Sequence, residues 1–337
     1  MSAQFTSLDS SATAWIALAS AQRVSPKLWL QALEQHQCSP IELLSQASSL
    51  GSAVTTLTEQ ITQKHIDTAL NWAKASENRH VITLDSPDYP PLLKQLDSPP
   101  LVLFATGSKA LLKQPQIAIV GSRRASIQGK RIATDFAMGL SNNGIAITSG
   151  LAMGIDSAAH VGAISGSIGT IAVMGTGPDK IYPAKNSKLY NEIHDSGGVS
   201  VTEFFPGQGP KPWHFPRRNR IIAALSLGTL VVEAKIKSGT LITANLAADM
   251  GRDVFAVPGS LFHAYSEGCH WLIQQGAKLV TNVNDILLEI GVQPQQMSFD
   301  VGEQNEKSAV NSLATDKLLA SVEYDITAID VIAQRNA

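Results

Sequence analysis

From residue 117 onward the chain repeats one unit: a short β-branched run, a small turn that usually carries glycine, and a helical stretch. The runs fall at 117–120, 145–148, 170–173, 199–202, 229–232 and 253–257, with a weaker one at 278–281. Helical spacing covers 127–142, 155–165, 187–195, 217–227, 239–250 and 267–275. Strands that alternate with helices at this spacing predict an α/β fold: a doubly wound, mostly parallel, Rossmann-like sheet of about 175 residues with helices on both faces.

Such sheets bind ligands outside the carboxyl ends of their strands. The segments there are Gly121-Ser122-Arg123, Ser149-Gly150-Leu151-Ala152, Met174-Gly175-Thr176-Gly177, Glu203-Phe204, Glu233-Ala234 with Ser238-Gly239-Thr240, and Pro258-Gly259-Ser260. Small residues at these turns let backbone N–H groups approach an anion, and the following helix N-terminus adds its dipole. A doubly wound fold needs glycine there whatever it binds, so the pattern alone leaves the ligand open.

Charge narrows the choice. No Asp or Glu occurs from Ser98 to Thr134, a window with Lys109, Lys113, Arg123, Arg124, Lys130 and Arg131. None occurs from Phe204 to Val232, which holds Lys211, Arg217, Arg218 and Arg220. In a chain of formal net charge -2, these windows hold ten of 26 Lys and Arg, so positive charge is segregated. The second window also contains Phe215, flanked by Trp213 and His214. Cations that follow phosphates and rings that stack bases are what a single-stranded nucleic acid groove requires. The alternative is that these arginines cap helices or form surface ion pairs.

Ahead of the repeats, residues 12–72 read as a small bundle of short helices, with Trp15, Leu18, Leu28, Leu33, Ile41, Leu44, Leu57, Ile61, Ile66 and Leu70 as candidate core. Its few basic residues, Arg23, Lys27, Lys64 and Lys74, favour a structural or protein-contact role. Residues 80–84 and 101–104 read as strands in a connector that packs on the sheet, separated by turns rich in proline.

Several function classes are excluded or weakened. The polar start lacks a signal peptide's basic and apolar regions, and no run reaches the ~18 apolar residues of a membrane span, so the expected compartment is the cytoplasm. Cys38 and Cys269 stand alone, without metal-ligand spacing. Gly121-Ser122-Arg123-Arg124-Ala125-Ser126 lacks the later glycines of a dinucleotide fingerprint, and no phosphate-binding GxxxxGK[ST] loop occurs; neither a cofactor nor a metal is expected. Asp156 and His160 lie one helical turn apart and suit either an acid/base pair or ordinary helix packing. Glu203 and Glu233 follow strand ends, where they could act on an ester or orient a neighbouring arginine.

Read in order, Ile117-Ala118-Ile119-Val120-Gly121-Ser122-Arg123, Ser149-Gly150-Leu151-Ala152-Met153-Gly154-Ile155-Asp156-Ser157-Ala158-Ala159-His160, Tyr182-Pro183, Phe215-Pro216-Arg217-Arg218-Asn219-Arg220-Ile221-Ile222, Glu233-Ala234, Ser238-Gly239-Thr240-Leu241-Ile242-Thr243-Ala244 and Val257-Pro258-Gly259 strongly resemble the bacterial DNA-processing protein A (DprA, or Smf) family. The resemblance runs from about residue 12 to 290 and rests on many motifs in matching order. It implies an N-terminal helical domain of the sterile-alpha-motif type (1–75), a connector (76–116), an extended Rossmann domain (117–290), a polar linker (291–312) and a winged-helix segment (313–337) that stops before a recognition helix. It also implies a protein that is not an enzyme. Such proteins bind single-stranded DNA in natural transformation, shield it, and help load RecA recombinase onto strands coated by single-strand-binding protein, as homodimers joined through the Rossmann domain.

By position, the resemblance implies that Arg123 in the Gly121-Ser122-Arg123-Arg124 loop holds a phosphate and that Arg218, Asn219 and Arg220 line a groove beside the base-stacking Phe215. Arg217 and Lys211 join the same basic group, Ser238, Gly239 and Thr240 add hydroxyl or backbone contacts, and Lys185 with Asn186 are further candidates. Two rivals remain. A nucleoside-monophosphate phosphoribohydrolase would use Gly239-Thr240 and Glu233, and a dimeric adaptor would need no DNA contact.

Overall fold

The computed structural model describes residues 10–21 and 24–293. Arg23, the winged-helix segment and nearly all of the linker before it lie outside the described residues. Helices α1 (Ser10–Ser20), α2 (Pro26–His36), α3 (Pro40–Ser45), α4 (Ser52–Thr58) and α5 (Gln63–Lys74) come first. Their starts follow the local chemistry: Ser25 and Ser39 cap α2 and α3 with proline at the first turn, and Ser39 and Glu42 form a reciprocal capping box. Trp15, Leu18 and Ile66 are buried as the helical spacing predicts, but Leu28 and Ile41 are exposed, because both sit in first turns that face solvent.

The connector contributes β1 (Arg79–Thr83) and β2 (Val102–Gly107) to the sheet itself. The repeats then supply β3 (Gln116–Val120), α6 (Ile127–Asn142), β4 (Ala146–Ser149), α7 (Ile155–Ile164), β5 (Thr170–Val173), α8 (Ser187–Asp195) and β6 (Val199–Thr202). After these come α9 (His214–Leu225), β7 (Gly228–Val231), α10 (Gly239–Asp249), β8 (Asp253–Ala256), α11 (Glu267–Gln274), β9 (Lys278–Leu279) and α12 (Val283–Glu289). One nine-stranded sheet results, in the order β1-β2-β6-β5-β4-β3-β7-β8-β9. Strands β3 to β9 are parallel to their neighbours, and β1 and β2 add antiparallel through β2 on β6. Every residue of β3 is buried, as a central strand covered on both faces requires.

The helices that open the chain share one continuous core with this sheet. Trp72 meets Phe104 of β2 edge-on with ring centroids 5.6 Å apart, Phe104 meets Phe205 at 5.1 Å, and His65 of α5 stacks on Phe205 at 5.2 Å. Along the sheet the winding runs outward from β3 to β6 in one direction and from β7 to β9 in the other. The loops after β3 and β7 therefore diverge and leave a crevice between them, the position where doubly wound sheets place ligands.

Candidate nucleic-acid interface

The crevice at this switch point is a cavity of about 750 Å³. Gly121 to Arg124 after β3 form one wall, Lys235, Lys237 and the start of α10 form another, and the first turns of α9 close it. The β3 loop is held through Ser122, which donates its N–H to the Glu233 carbonyl at 2.7 Å, accepts at its own carbonyl from Ile155 N at 3.2 Å and accepts at its hydroxyl from Arg124 N at 3.1 Å. This leaves Arg123 and Arg124 exposed, with no ion-pair partner among the described residues. At the opposite wall the Ser238 hydroxyl is buried without a hydrogen-bond partner, and it does not cap α10. The first N–H groups of α10, at Gly239 and Thr240, thus face the cavity without a side-chain acceptor, the usual seat of a phosphate oxygen.

Helix α9 has two functional faces because its residues repeat every 3.6 positions. Phe215, Arg218, Asn219 and Ile222 point to this cavity, whereas His214, Arg217 and Arg220 point away. Phe215 is half-buried between Tyr182, centroid to centroid 5.4 Å, and the Arg123 guanidinium, 5.6 Å from the ring centre. The ring and the cation are thus already assembled side by side. Asn219 links the helices: it donates to the Gly239 carbonyl at 3.4 Å and accepts from Arg218 Nε at 3.1 Å.

Arg218 has a different role from the exposed groove arginine that the sequence suggests. It is only 5% exposed, and its guanidinium donates to the carbonyls of Gly150, at 2.6 Å, and Val173. Burial lowers its pKa to about 10, so it remains a cation at neutral pH. Beneath it the Asp156 carboxylate accepts from Gly150 N at 3.1 Å and Ala152 N at 3.4 Å. Burial pushes the Asp156 carboxyl up while the Arg218 charge and these N–H groups pull it back. A Cβ on Gly150 would lie 2.6 Å from the guanidinium, so the close approach requires glycine.

His160 completes the same fastening. Thr170 Oγ1 donates to the Ile147 carbonyl at 2.7 Å, which leaves it to accept from His160 Nδ1 at 2.7 Å. Nε2 then accepts from Leu151 N at 3.3 Å, so the ring is neutral with its proton on Nδ1. Burial first, and the Arg218 charge second, lower its pKa to about 3. Leu151 itself sits in the left-handed region with φ 56, a costly conformation for a branched residue, and its carbonyl is held by Asn186 at 2.8 Å. Asp156 and His160 therefore secure the loop after β4, and their hydrogen bonds are those of packing groups.

The segregated charge of the sequence is partly cancelled in space. Asp88 pairs with Lys109 and Lys113, and Asp135 lies 3.8 Å from Arg131. Glu203, its side chain 3% exposed, accepts from Arg217 Nε and Nη2 at 3.0 and 2.9 Å and from Arg220 Nη2 at 2.6 Å. Arg217, Arg220 and Lys211 lie at a second cavity on the far face of α9, away from Arg123 and Phe215. Lys185 is exposed and lines neither cavity. Conversely, Lys235 and Lys237 line the first cavity, and Lys235 lies 5.1 Å over the Tyr265 ring. The acid-free window hid them because Glu233 ends it, yet Glu233 faces inward and accepts from Ser126 N at 3.0 Å and Ser126 Oγ at 2.5 Å.

A Rossmann-type crevice with unpaired arginine and lysine, an open helix N-terminus and a ring defines a protein built to hold a polyanion at the end of its sheet. The chain belongs to the DNA recombination-mediator protein A family, whose model matches residues 80–291. It is similar to Protein Smf of Escherichia coli (strain K12), 41% identical over 280 residues that make up 81% of this chain and 73% of that protein. It is also similar to the DNA processing protein DprA of Streptococcus pneumoniae, 49% identical over 201 residues, 60% of this chain and 71% of that one. Among solved structures, that of DNA processing protein A from Streptococcus pneumoniae superposes with a TM-score of 0.70 at 39% identity, covering 82% of this chain and 97% of the other. DNA processing protein A from Helicobacter pylori, described for its single-stranded DNA binding mode, matches with a TM-score of 0.57 at 29% identity over 63% of this chain and 95% of its own. No helix among the described residues is long and apolar enough to cross a membrane.

Proposed function

We propose that the chain is a sequence-independent single-stranded DNA-binding mediator of recombination that acts without chemistry of its own. The observation that carries the reading is the convergence, on one crevice, of unpaired Arg123, Lys235 and Lys237, the orphan Ser238 hydroxyl, the uncapped start of α10 and the Phe215 ring. Each of these groups recognises a feature that every nucleotide shares, a phosphate or a π-face, and none of them reads a base edge. The family supports this ligand, since the Helicobacter pylori relative is described by its single-stranded DNA binding mode. Gly121, Ser122, Arg123, Arg124, Phe215, Asn219, Ser238, Gly239 and Thr240 form the contact set, with Arg218 supporting it from below.

The family role extends the reading to strands coated by single-strand-binding protein, onto which the bound chain helps load RecA recombinase in the cytoplasm, as a homodimer through its Rossmann domain. The phosphoribohydrolase alternative needs Glu233 free to act on a sugar. That carboxylate is bound by both groups of Ser126 at the start of α6.

Fluorescence anisotropy with an oligo-dT and a mixed-sequence strand tests the proposal. Arg123→Ala weakens both alike, because a phosphate contact is blind to sequence. A loss confined to one sequence contradicts it, as does release of base from AMP that Glu233→Gln abolishes. RecA assembly on coated strands is expected to rise with the wild type and not with Arg123→Ala; equal stimulation by both supports the adaptor reading instead.

A further inference from the structure

On the far face of α9 lies a second cavity of about 770 Å³, between the opening helices and the sheet. Its size is that of a small-molecule site, and its walls are aromatic: Trp29, Phe204, Trp213 and His65 among them. Trp213 stands at the rim, 64% exposed, with Lys211 Nζ 5.4 Å over its ring. Deeper in, Arg217 lies 5.7 Å over Phe204, which in turn stacks on His214 at 4.0 Å.

Two features of this cleft are unexplained by folding. Glu203 is its single acidic lining residue among the described residues and is shared by two arginines, so together with Lys211 this lining keeps a net positive charge. Arg217 is bound through Nε and Nη2 and is half exposed, leaving Nη1 for an anion. Second, Trp29 is 1% exposed, lines the cleft, and its indole N–H has no partner among the described residues. Leaving a buried donor without an acceptor is unfavourable, which makes this N–H a natural hydrogen-bond site for a ligand carbonyl.

We propose that this cleft is a second nucleotide subsite, which stacks a base on Trp213, holds a phosphate with Lys211 and Arg217, and offers the Trp29 N–H to a base carbonyl. The inference rests on the proposed single-stranded DNA binding and extends it. The segment from Lys211 to Arg217 is a ridge shared by both cavities, since Pro212, Phe215 and Pro216 face the first while Lys211, Trp213, His214 and Arg217 face the second. A strand seated at Arg123 and Phe215 passes over Pro212 into the cleft. The same base-plus-phosphate chemistry also suits a free nucleotide, and the experiment separates the two sources.

Oligo-dT strands of about six and about sixteen nucleotides, spanning the range that single-strand grooves cover, are titrated onto the full chain. Trp213→Leu is expected to weaken the long strand roughly 5- to 150-fold, the equivalent of one stacked base, and to leave the short strand unchanged. Trp213→Phe restores the long-strand affinity, and Trp29→Phe, which removes the N–H together with one ring of the indole, lowers it at temperatures where the variant remains folded. If the long strand is indifferent to Trp213 but dTMP quenches indole fluorescence in wild type and Arg123→Ala and not in Trp213→Leu, the cleft takes a free nucleotide and the strand source is wrong. Equal weakening of short and long strands, or no dependence of either ligand on Trp213, overturns the subsite. Wild-type protein that binds neither strand fails the proposed function itself, and the subsite then stands or falls on the dTMP response.

Discussion

Arg123 and Arg218 look alike in the sequence and are opposites in the structure. Arg123 is exposed and has no ion-pair partner among the described residues, and Arg123→Ala is expected to change stability in chemical denaturation by no more than roughly 0.5 kcal/mol, as surface substitutions do, while it removes DNA affinity. Arg218→Ala strips the countercharge from buried Asp156 and leaves two carbonyls unbonded, for a loss of roughly 3–5 kcal/mol in chemical denaturation. His160 adds a pH signature. Its folded pKa, about 3, lies below the unfolded value near 6.5, so between these the unfolded state binds a proton that the folded state does not. Stability therefore falls with acidification across this window, by up to about 1.4 kcal/mol per pH unit, and His160→Gln flattens the slope. The burial of Arg218 was recoverable from sequence: it stands three and four residues before Ile221 and Ile222 and seven before Leu225, the stripe α9 buries. A count of cations over the acid-free windows carries no information about that periodicity.

At the level of elements, the strand and helix pattern was legible because β-branched runs and helical spacing carry the information locally. The strands at 170–173 and 199–202 and the helices at 127–142 and 187–195 agree with the structure to the residue. What was not legible is which loops meet. Lys235 and Lys237 share a cavity with Arg123 only because β7 pairs with β3, and Glu203 reaches Arg217 and Arg220 only because the segment after β6 comes to lie against α9. Pairing across a sheet leaves no trace in neighbouring residues. Helix packing imposes its own tight constraint: a Cβ on Gly162 of α7 would lie 2.2 Å from the Thr134 carbonyl of α6. Gly162→Ala forces these helices apart and is expected to cost about 1–3 kcal/mol, seen as an earlier thermal transition with DNA binding retained below it.

For the whole molecule, a chain of formal net charge -2 binds a polyanion only if its cations are gathered at one place and its acids are occupied elsewhere. Asp88, Asp135, Glu203 and Glu233 are each engaged by a cation or a hydroxyl, and the switch point between β3 and β7 gathers Arg123, Arg124, Lys235 and Lys237, none of them ion-paired among the described residues. The direct test is anisotropy of a fluorescent oligo-dT at several salt concentrations, for wild type and Arg123→Ala. Counterion release predicts that log affinity falls linearly with log salt by about 0.7 per phosphate neutralised, and that Arg123→Ala reduces the slope by about that amount. Binding that does not depend on salt, or a slope that Arg123→Ala leaves unchanged, contradicts the assignment of this crevice as the DNA interface.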